Sequence, residues 1–90
     1  MNMEINPSEY KILIVDDVMS NVLLLKVLLT NEKFAIATAN NGQQALEQVD
    51  KEHPDLVLLD VMMPDLSGFE VAQRLKSNPD TADIPIIFLT

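Results

Sequence analysis

The stretch LVLLD, from Leu56 to Asp60, decides the fold, because four apolar residues run directly into a carboxylate. An uninterrupted apolar run of this kind is typical of a strand that is buried on both faces, as in a parallel sheet. The aspartate then lies at the carboxyl edge of the sheet, where open α/β sheets bind ligands. The same pattern occurs earlier in KILIVDD, from Lys11 to Asp17. If the two strands are parallel neighbours, Asp16, Asp17 and Asp60 converge on one spot.

Segments with strand and helix character alternate along the chain. The predicted strands are 10–15, 34–39, 56–59 and 84–89. Three helices are predicted between them: one with its body at 22–29 and Ser20 or Asn21 as its cap, one opened by Asn41 and Gln44, and one opened by Ser67 and Glu70. The last two pairs have the spacing of a capping box. This order implies parallel pairing with right-handed crossovers, but periodicity does not give the strand order.

The first predicted helix is unusually apolar. Every residue from Val22 to Leu29 except Lys26 is a valine or a leucine. A helix that covers only one side of a sheet shows an apolar stripe rather than a nearly full wrap. We therefore expect neighbours on more than one side of this helix. The second strand, built of small residues, is expected at an edge of the sheet.

Length, charge and composition narrow the class of protein. The 90 residues allow one domain, and 48% of them are hydrophobic, which is enough for a core. A net charge of −8 argues against nucleic acid or an anionic membrane as a direct partner. The absence of cysteine excludes a disulfide framework, and no apolar run approaches membrane-spanning length. The N-terminus lacks a signal-peptide pattern, so the cytoplasm is the expected location.

The converging carboxylates have two interpretations. Three carboxylates in one pocket repel one another unless they are protonated or a cation joins them. Oxygen ligands without His or Cys nearby favour Mg²⁺ before Ca²⁺, and Mg²⁺ commonly meets phosphate, with an aspartate able to act as nucleophile. Acidic residues at strand ends are, however, also common as solvated loop residues or helix caps. The pattern alone leaves both interpretations open.

Other polar and sulfur-containing residues near these motifs have structural interpretations. Met62 and Met63 are not accompanied by a thiolate or histidine, so we expect their side chains to pack rather than to bind a soft metal. His53 is followed by Pro54 and is expected to end the second helix. Asp65 is expected to tighten the loop that follows the third strand.

Four motifs together resemble the receiver domain of two-component response regulators. They are ILIVDD at 12–17 with Asn21 after it, DLVLLD at 55–60, MP at 63–64 followed by SG at 67–68 and Glu70, and IPIIFLT at 84–90. Their order and spacing match the family, and they cover the chain from Lys11 onward. The resemblance implies a doubly wound parallel sheet of the flavodoxin-like receiver type. The family's strand order is 2-1-3-4-5, so the strands predicted here would follow the order 2-1-3-4.

The resemblance also implies a role for each matching residue. Asp60 would accept a phosphoryl group from a histidine kinase or a phosphotransfer protein. Asp16 and Asp17 would bind Mg²⁺ together with Asp60, Asp17 directly and Asp16 directly or through water. The backbone carbonyl of Met62 would be a further ligand, and the hydroxyl of Thr90 would contact the phosphoryl oxygens.

The chain departs from the family pattern in two ways. Receiver domains have five strands, so residues 10–90, after a lead-in at 1–9, are expected to form a receiver that lacks its C-terminal α-β-α portion. The family also places a lysine after strand five, whereas no Lys or Arg follows Lys76, and Lys11 and Lys76 are expected at the far edge of the sheet. The unpaired edge of the fourth strand would allow self-association by edge pairing or by exchange of elements.

Three functions therefore remain open at this point. The first is a phosphoacceptor receiver, whose own chemistry would be at most slow phosphotransfer and self-dephosphorylation. The second is a truncated or degenerate receiver that acts as a protein-interaction module without being phosphorylated. The third is a Mg²⁺-dependent phosphatase with an aspartyl nucleophile. It is disfavoured because such enzymes usually carry a second aspartate two residues after the nucleophile, where this chain has Met62.

Overall fold

The computed structural model describes residues 6–89, which form four strands and three α-helices in alternation. A 3₁₀ turn at Pro7–Glu9 precedes the first strand. The elements that follow are β1 (Lys11–Val15), α1 (Met19–Asn31), β2 (Ala35–Ala39), α2 (Gly42–Glu52), β3 (Leu56–Asp60), α3 (Gly68–Ser77) and β4 (Ile86–Leu89). None of these helices is long and apolar enough to cross a membrane.

The four strands form one parallel sheet in the order β2-β1-β3-β4, which confirms the predicted fold class and strand order. The strand β2 lies at one edge, as its small residues predicted. Val15 of β1 is the register partner of Leu59 of β3. The residues that follow these two partners, Asp16 and Asp60, therefore leave neighbouring strands at the same edge of the sheet.

The central strands are covered on both faces, as the apolar runs predicted. Leu13, Val15, Val57 and Leu59 point to one face, where they pack with apolar residues of α2 and α3. Ile12, Ile14 and Leu58 point to the other face, where Val22 of α1 joins them. The alternation of a strand sends successive side chains to opposite faces, so a five-residue strand can contribute to two cores at once.

The first helix begins earlier than the sequence predicted, and its predicted cap is wrong. Val18 is the N-cap, and it makes no side-chain capping hydrogen bond. The turn before the helix is held instead by Asp16, whose Oδ1 accepts the backbone N–H of Val18 at 2.9 Å. Asn21 lies inside the first helical turn, and its side-chain amide donates to Asp16 Oδ2 at 3.2 Å. Its side chain is thus used at the strand end rather than as a cap.

The other helix starts agree with the predicted capping residues. The side chain of Asn41 accepts the N–H of Gln44 at 2.8 Å, and the hydroxyl of Ser67 accepts the N–H of Glu70 at 3.2 Å. His53 ends α2 in a left-handed conformation, with φ 48°. Local sequence was sufficient at these positions because the capping groups lie within three residues of the groups they bind.

The last strand begins at Ile86, two residues later than predicted. Pro85 has no N–H to offer a ladder, although its carbonyl accepts the N–H of Val57 at 3.0 Å. Ile84 is committed to the preceding turn: its N–H donates to the carbonyl of Thr81 at 3.1 Å, and its own carbonyl accepts the Lys76 amine at 2.7 Å.

The outer face of α1 is apolar and exposed. Leu23, Leu24, Val27 and Leu28 are each between 53% and 61% exposed, whereas Val22 is buried against the sheet. Within the described residues, α1 therefore has the sheet on one side, and the predicted second neighbour is not present. On the same face of the sheet, Ile87 of the edge strand β4 is 51% exposed.

Gly68 opens α3 where the helix passes over the end of β3. A Cβ atom at this position would overlap the carbonyl oxygen of Asp60 and would lie 2.9 Å from Val61 Cα. Both neighbours are backbone atoms, so they cannot move aside as a side-chain tip can. The absence of a side chain at Gly68 is what lets α3 start directly against the carboxyl end of β3.

Replacing Gly68 by Ala is therefore expected to lower the free energy of unfolding by about 1–3 kcal/mol, as overpacking does, although Ala is the better helix former. Chemical denaturation followed by circular dichroism measures the change. Gln73→Ala is the matched control, because Gln73 is exposed on the same helix and its substitution should stay within about 0.5 kcal/mol. A Gly68→Ala variant as stable as the wild type would contradict the close approach.

Candidate functional site

Three carboxylates meet at the carboxyl edge of the sheet, beyond the ends of β1 and β3. Asp16, Asp17 and Asp60 each offer an oxygen atom, and these oxygens all lie within 4.8 Å of one another. The convergence predicted from the two strand patterns is present in the structure. Asp16 is buried, Asp60 is half-buried and Asp17 is exposed, so the cluster runs from the protein interior to solvent.

Asp16 is the most firmly held member of the cluster. It is 4% exposed, and its two oxygens accept the N–H of Val18 and the side-chain amide of Asn21. These bonds keep the carboxylate oriented, and no lysine or arginine in the described part of the chain forms an ion pair with it. The sequence indicates Asn21 only as part of a receiver-like motif and as a candidate helix cap. Its contact with Asp16 could not be read from local spacing, because it depends on how α1 leaves the sheet.

Asp60 lies in an environment that disfavours its charge. Partial burial raises the pKa of the Asp60 carboxyl, and the nearby Asp16 and Asp17 raise it further. The backbone N–H of Met62, which donates to Asp60 Oδ1 at 3.3 Å, opposes this shift. A carboxylate that is repelled by two others gains stability from any cation that enters among them.

A cleft opens beside these carboxylates. Its volume is about 210 Å³, and it is lined by Asp16, Asn21, Leu24, Leu25, Asp60 and Leu89. The polar part of the lining comes from the strand ends and Asn21, and the apolar part comes from α1 and β4. Asp60 is therefore accessible from a hollow that can take an ion with its waters or a small anion.

The donor set fits Mg²⁺ chemically. Its side-chain donors are carboxylate oxygens, the ligands that hard divalent cations prefer, and neither His nor Cys belongs to the cluster. One exposed and one half-buried carboxylate leave room for the waters that Mg²⁺ retains. The roles implied for the individual residues, including the carbonyl of Met62, stay predictions, and Thr90 lies outside the described residues.

The two methionines of the loop between β3 and α3 differ in their exposure to solvent. Met63 is half-buried and packs against the core, as expected. Met62 is 78% exposed, so the expectation that its side chain packs is wrong. Asp65, expected to tighten this loop, instead accepts hydrogen bonds from backbone N–H groups of Gly42 and Gln43, at the start of α2.

Two lysines that could have approached Asp60 contact groups elsewhere. The amine of Lys11, at the start of β1, lies 2.7 Å from a carboxylate oxygen of Glu52. The amine of Lys76 donates to the carbonyls of Ala82 and Ile84, before β4 begins. Both contacts lie toward the amino ends of the strands, as predicted, and Asp60 is at the carboxyl ends.

Comparison with known proteins places these features in a family. Residues 12–90 match the response regulator receiver domain family. The chain is 45% identical over 80 residues to the response regulator PleD of Caulobacter vibrioides, which covers 89% of this chain and 18% of PleD. With the sheet order and the acidic cluster, this match shows that the chain belongs to the response regulator receiver domain family.

Solved structures agree with this assignment. The N-terminal domain of a response regulator receiver protein from Methanoculleus marisnigri superposes with a TM-score of 0.88 at 41% identity, covering 90% of this chain and 66% of that one. The receiver domain of the sensor histidine kinase PA1611 from Pseudomonas aeruginosa has a TM-score of 0.85 at 25% identity, with the same coverage. That domain was solved with a magnesium ion coordinated in its active-site cleft.

The chain spans only part of the proteins it matches. It covers 18% to 35% of the length of the curated relatives, and just under two thirds of the structural neighbours described above. Receiver domains bind Mg²⁺ in an acidic site and interact with histidine kinases or phosphotransfer proteins. This chain has an acidic cluster at the carboxyl edge of its sheet.

Replacing Asp60 by Asn is expected to raise the melting temperature in metal-free buffer near neutral pH, because the substitution removes one of three repelling carboxylates. The fold raises the pKa of Asp60, so its ionised form destabilises the native state. This penalty is present above the folded-state pKa and is absent once the pH falls below the ordinary carboxyl value. The difference between variant and wild type should therefore shrink in acid.

Thermal unfolding with a chelator, at neutral and at acidic pH, measures both effects. The control is Asp50→Asn, which removes a carboxylate of equal charge from an exposed position on α2. Equal shifts for the two variants at neutral pH would contradict repulsion within the cluster and would indicate only the change in net charge.

Proposed function

We propose that this chain is a phosphoacceptor of a two-component phosphorelay, and that Asp60 takes a phosphoryl group from a phosphohistidine of a histidine kinase or phosphotransfer protein. The observation that carries the proposal is the position of Asp60. It lies half-buried at the carboxyl edge of the sheet, opens to the cleft, and has Asp16 and Asp17 within reach of a shared cation.

The proposed transfer needs one nucleophile and one leaving group. A carboxylate oxygen of Asp60 forms a bond to phosphorus while the bond between phosphorus and the histidine nitrogen breaks. The nitrogen keeps the electron pair and takes up a proton, which leaves a neutral imidazole and an aspartyl phosphate. Hydrolysis returns the carboxylate when water attacks phosphorus and inorganic phosphate leaves.

The remaining residues of the site would hold the reacting groups in place. Asp17 would bind Mg²⁺ directly, Asp16 directly or through water, and Asp60 and the carbonyl of Met62 would complete the protein ligands. When bound, Mg²⁺ would offset the charge of the carboxylates and of the phosphoryl oxygens. The hydrogen bonds from Val18 and Asn21 keep Asp16 pointed at the cluster. The proposed contact of Thr90 with the phosphoryl group rests on the family resemblance alone.

The two lysines considered above do not contribute positive charge to the proposed transfer. Lys11 and Lys76 form their contacts at the amino ends of the strands, so neither supplies a positive charge beside Asp60. A preorganised cation lowers the energy of the charge that develops in the transition state. No lysine or arginine of residues 6–89 lines the cleft beside Asp60, so the proposed phosphoryl transfer would depend on Mg²⁺ for positive charge there.

Intact-mass spectrometry with acetyl phosphate tests the proposal. We expect an adduct with the mass of one phosphoryl group that requires Mg²⁺ and disappears when a chelator is added. Asp60→Asn should abolish the adduct, whereas the matched Asp50→Asn should retain it, because Asp50 lies on α2 outside the acidic cluster. A folded wild-type chain that never gains the adduct would overturn the proposal.

A second function is favoured by the exposed apolar surface: we propose that this chain associates with a second copy of itself. The edge of β4 lies free on one side within the described sheet, and Ile87 projects on the face covered by α1, because its register partner Leu58 belongs to the core under that helix. Leu24 of α1 and Leu89 of β4 line the same cleft, so the apolar helix and the last strand are neighbours on this face. Pairing of two β4 edges would provide partners for the backbone N–H and C=O groups of that edge and would also bury the nearby apolar side chains.

Analytical ultracentrifugation over a range of concentrations tests this association. We expect a reversible dimer, and Ile87→Lys should shift the chain to monomer because it places a charge on the pairing edge. Gln73→Lys adds the same charge at an exposed position on α3, which covers the opposite face of the sheet, and should leave the dimer intact. A wild-type chain that stays monomeric at every concentration would refute self-association while leaving the phosphoacceptor proposal unaffected.

A further inference from the structure

The loop between β3 and α3 carries a carboxylate that the proposed phosphoryl chemistry does not use. The two oxygens of Asp65 accept the backbone N–H groups of Gly42 and Gln43, each at 2.9 Å. These are the first two N–H groups of α2, which have no acceptor within their own helix. Asp65 therefore caps a helix that lies more than twenty residues away in the chain.

The start of α2 already has a local cap. Asn41 accepts the N–H of Gln44, and the side chain of Gln44 accepts the N–H of Asn40 at 3.1 Å. The body of α2 is anchored to the core through Ala45 and Val49, both fully buried. The start of α2 is therefore held in place without Asp65. We expect loss of the Asp65 contact to change the position of the loop more than the position of the helix.

The loop has few other polar ties. Within residues 6–89, the hydrogen bonds of segment 61–67 to distant parts of the chain are the two that Asp65 accepts. Its remaining bonds are local, such as the N–H of Gly68 donating to the carbonyl of Val61 at 2.9 Å and the N–H of Met62 donating to Asp60. Without Asp65, the polar restraints on this segment would all come from its own neighbours.

A close apolar contact accompanies the polar one. A Cβ atom at Gly42 would lie 2.6 Å from Cβ of Leu66, so a glycine at the start of α2 is needed for the loop to approach this closely. Leu66 is partly buried and packs against the core. The close packing of Leu66 on Gly42 brings the loop near enough to α2 for Asp65 to reach the N-terminus of that helix.

We propose that Asp65 is a positioning residue, which ties the β3–α3 loop to the N-terminus of α2 and thereby holds the backbone of Met62 beside Asp60 for Mg²⁺ binding. The inference rests on the proposed function, since the ion is the one that the acidic cluster would hold there. Met62 lies between Asp60 and the tether, two residues after Asp60 and three residues before Asp65. A shift of the loop would therefore move the proposed carbonyl ligand.

The tether acts as a charged acceptor under ordinary conditions. Hydrogen bonds from the N–H groups of Gly42 and Gln43 lower the pKa of Asp65, so the carboxylate stays ionised at neutral pH. The positive end of the α2 dipole also favours a negative charge at this position. Both effects make Asp65 a stronger acceptor here than a neutral side chain would be.

Asp65→Ala and Asn41→Ala form a matched pair of variants. Each removes a cap from the same end of the same helix, but Asn41 makes no hydrogen bond to the loop in the described structure. Magnesium affinity by calorimetry should fall about tenfold in Asp65→Ala, as when an outer partner of a metal ligand is lost. It should change less than about twofold in Asn41→Ala. Asp65→Asn keeps one acceptor oxygen and should be intermediate.

Amide hydrogen exchange without metal provides a second readout. Asp65→Ala should speed exchange at Met62, Met63 and Leu66, whereas Asn41→Ala should speed exchange at the start of α2 and leave the loop unchanged. Excess Mg²⁺ should restore the phosphoryl adduct in Asp65→Ala, because the variant binds the ion weakly but retains Asp60. It should not restore the adduct in Asp60→Asn.

The outcomes separate this inference from the proposed function. Equal loss of Mg²⁺ affinity in Asp65→Ala and Asn41→Ala, with equal exchange in the loop, would overturn the positioning role and leave an ordinary helix cap. A wild-type chain that binds no Mg²⁺ and gains no phosphoryl group would overturn the proposed function. The same result would overturn the proposed effect of Asp65 on Mg²⁺ binding. Faster amide exchange of the loop in Asp65→Ala, but not in Asn41→Ala, would still support the tether between the loop and α2. If Asp65→Ala does not fold, Asp65→Asn supplies the same comparisons.

Discussion

The parallel pairing of β1 with β3 is the constraint on which the rest of the molecule depends. Because Val15 and Leu59 are register partners, the two strands end together and their acidic residues emerge side by side. The same pairing places the alternating side chains of both strands in two cores, one beneath α1 and one beneath α2 and α3. Packing on both faces holds the two apolar strands side by side. The carboxylates at the ends of these strands are therefore brought together in spite of their mutual repulsion.

This arrangement gives the site its chemical character. Partial burial, together with the nearby Asp16 and Asp17, raises the pKa of Asp60, and the three converging carboxylates favour a cation among them. The fold supplies few compensating charges, since the neighbouring groups around Asp16 are a backbone N–H and the amide of Asn21. A cation would supply the positive charge that the described residues of this cluster lack. The proposed phosphoacceptor function rests on the position of Asp60 beside this cluster and on the family.

The loop after β3 shows how the surrounding structure holds this site. Gly68 lets α3 start against the backbone of Asp60, and Gly42 lets Leu66 approach the start of α2. Asp65 then bonds to that same helix end. These contacts join the acidic cluster to both helices on one face of the sheet. The opposite face has a different character, since α1 covers the sheet on its inner side and presents leucines and valines on its outer side.

The sequence by itself determined the alternation of strands and helices, the burial of β1 and β3, and the local caps Asn41 and Ser67. Each of these depends on residues a few positions apart, where periodicity and capping chemistry act. The strand order came from the resemblance to receiver domains, and the convergence of the three carboxylates required that order as well. Only the tertiary structure decided the bond between Asn21 and Asp16, the cap that Asp65 provides for α2, and the late start of β4. Those contacts join groups that local spacing cannot bring together, because their distances are set by how helices and loops pack on the finished sheet.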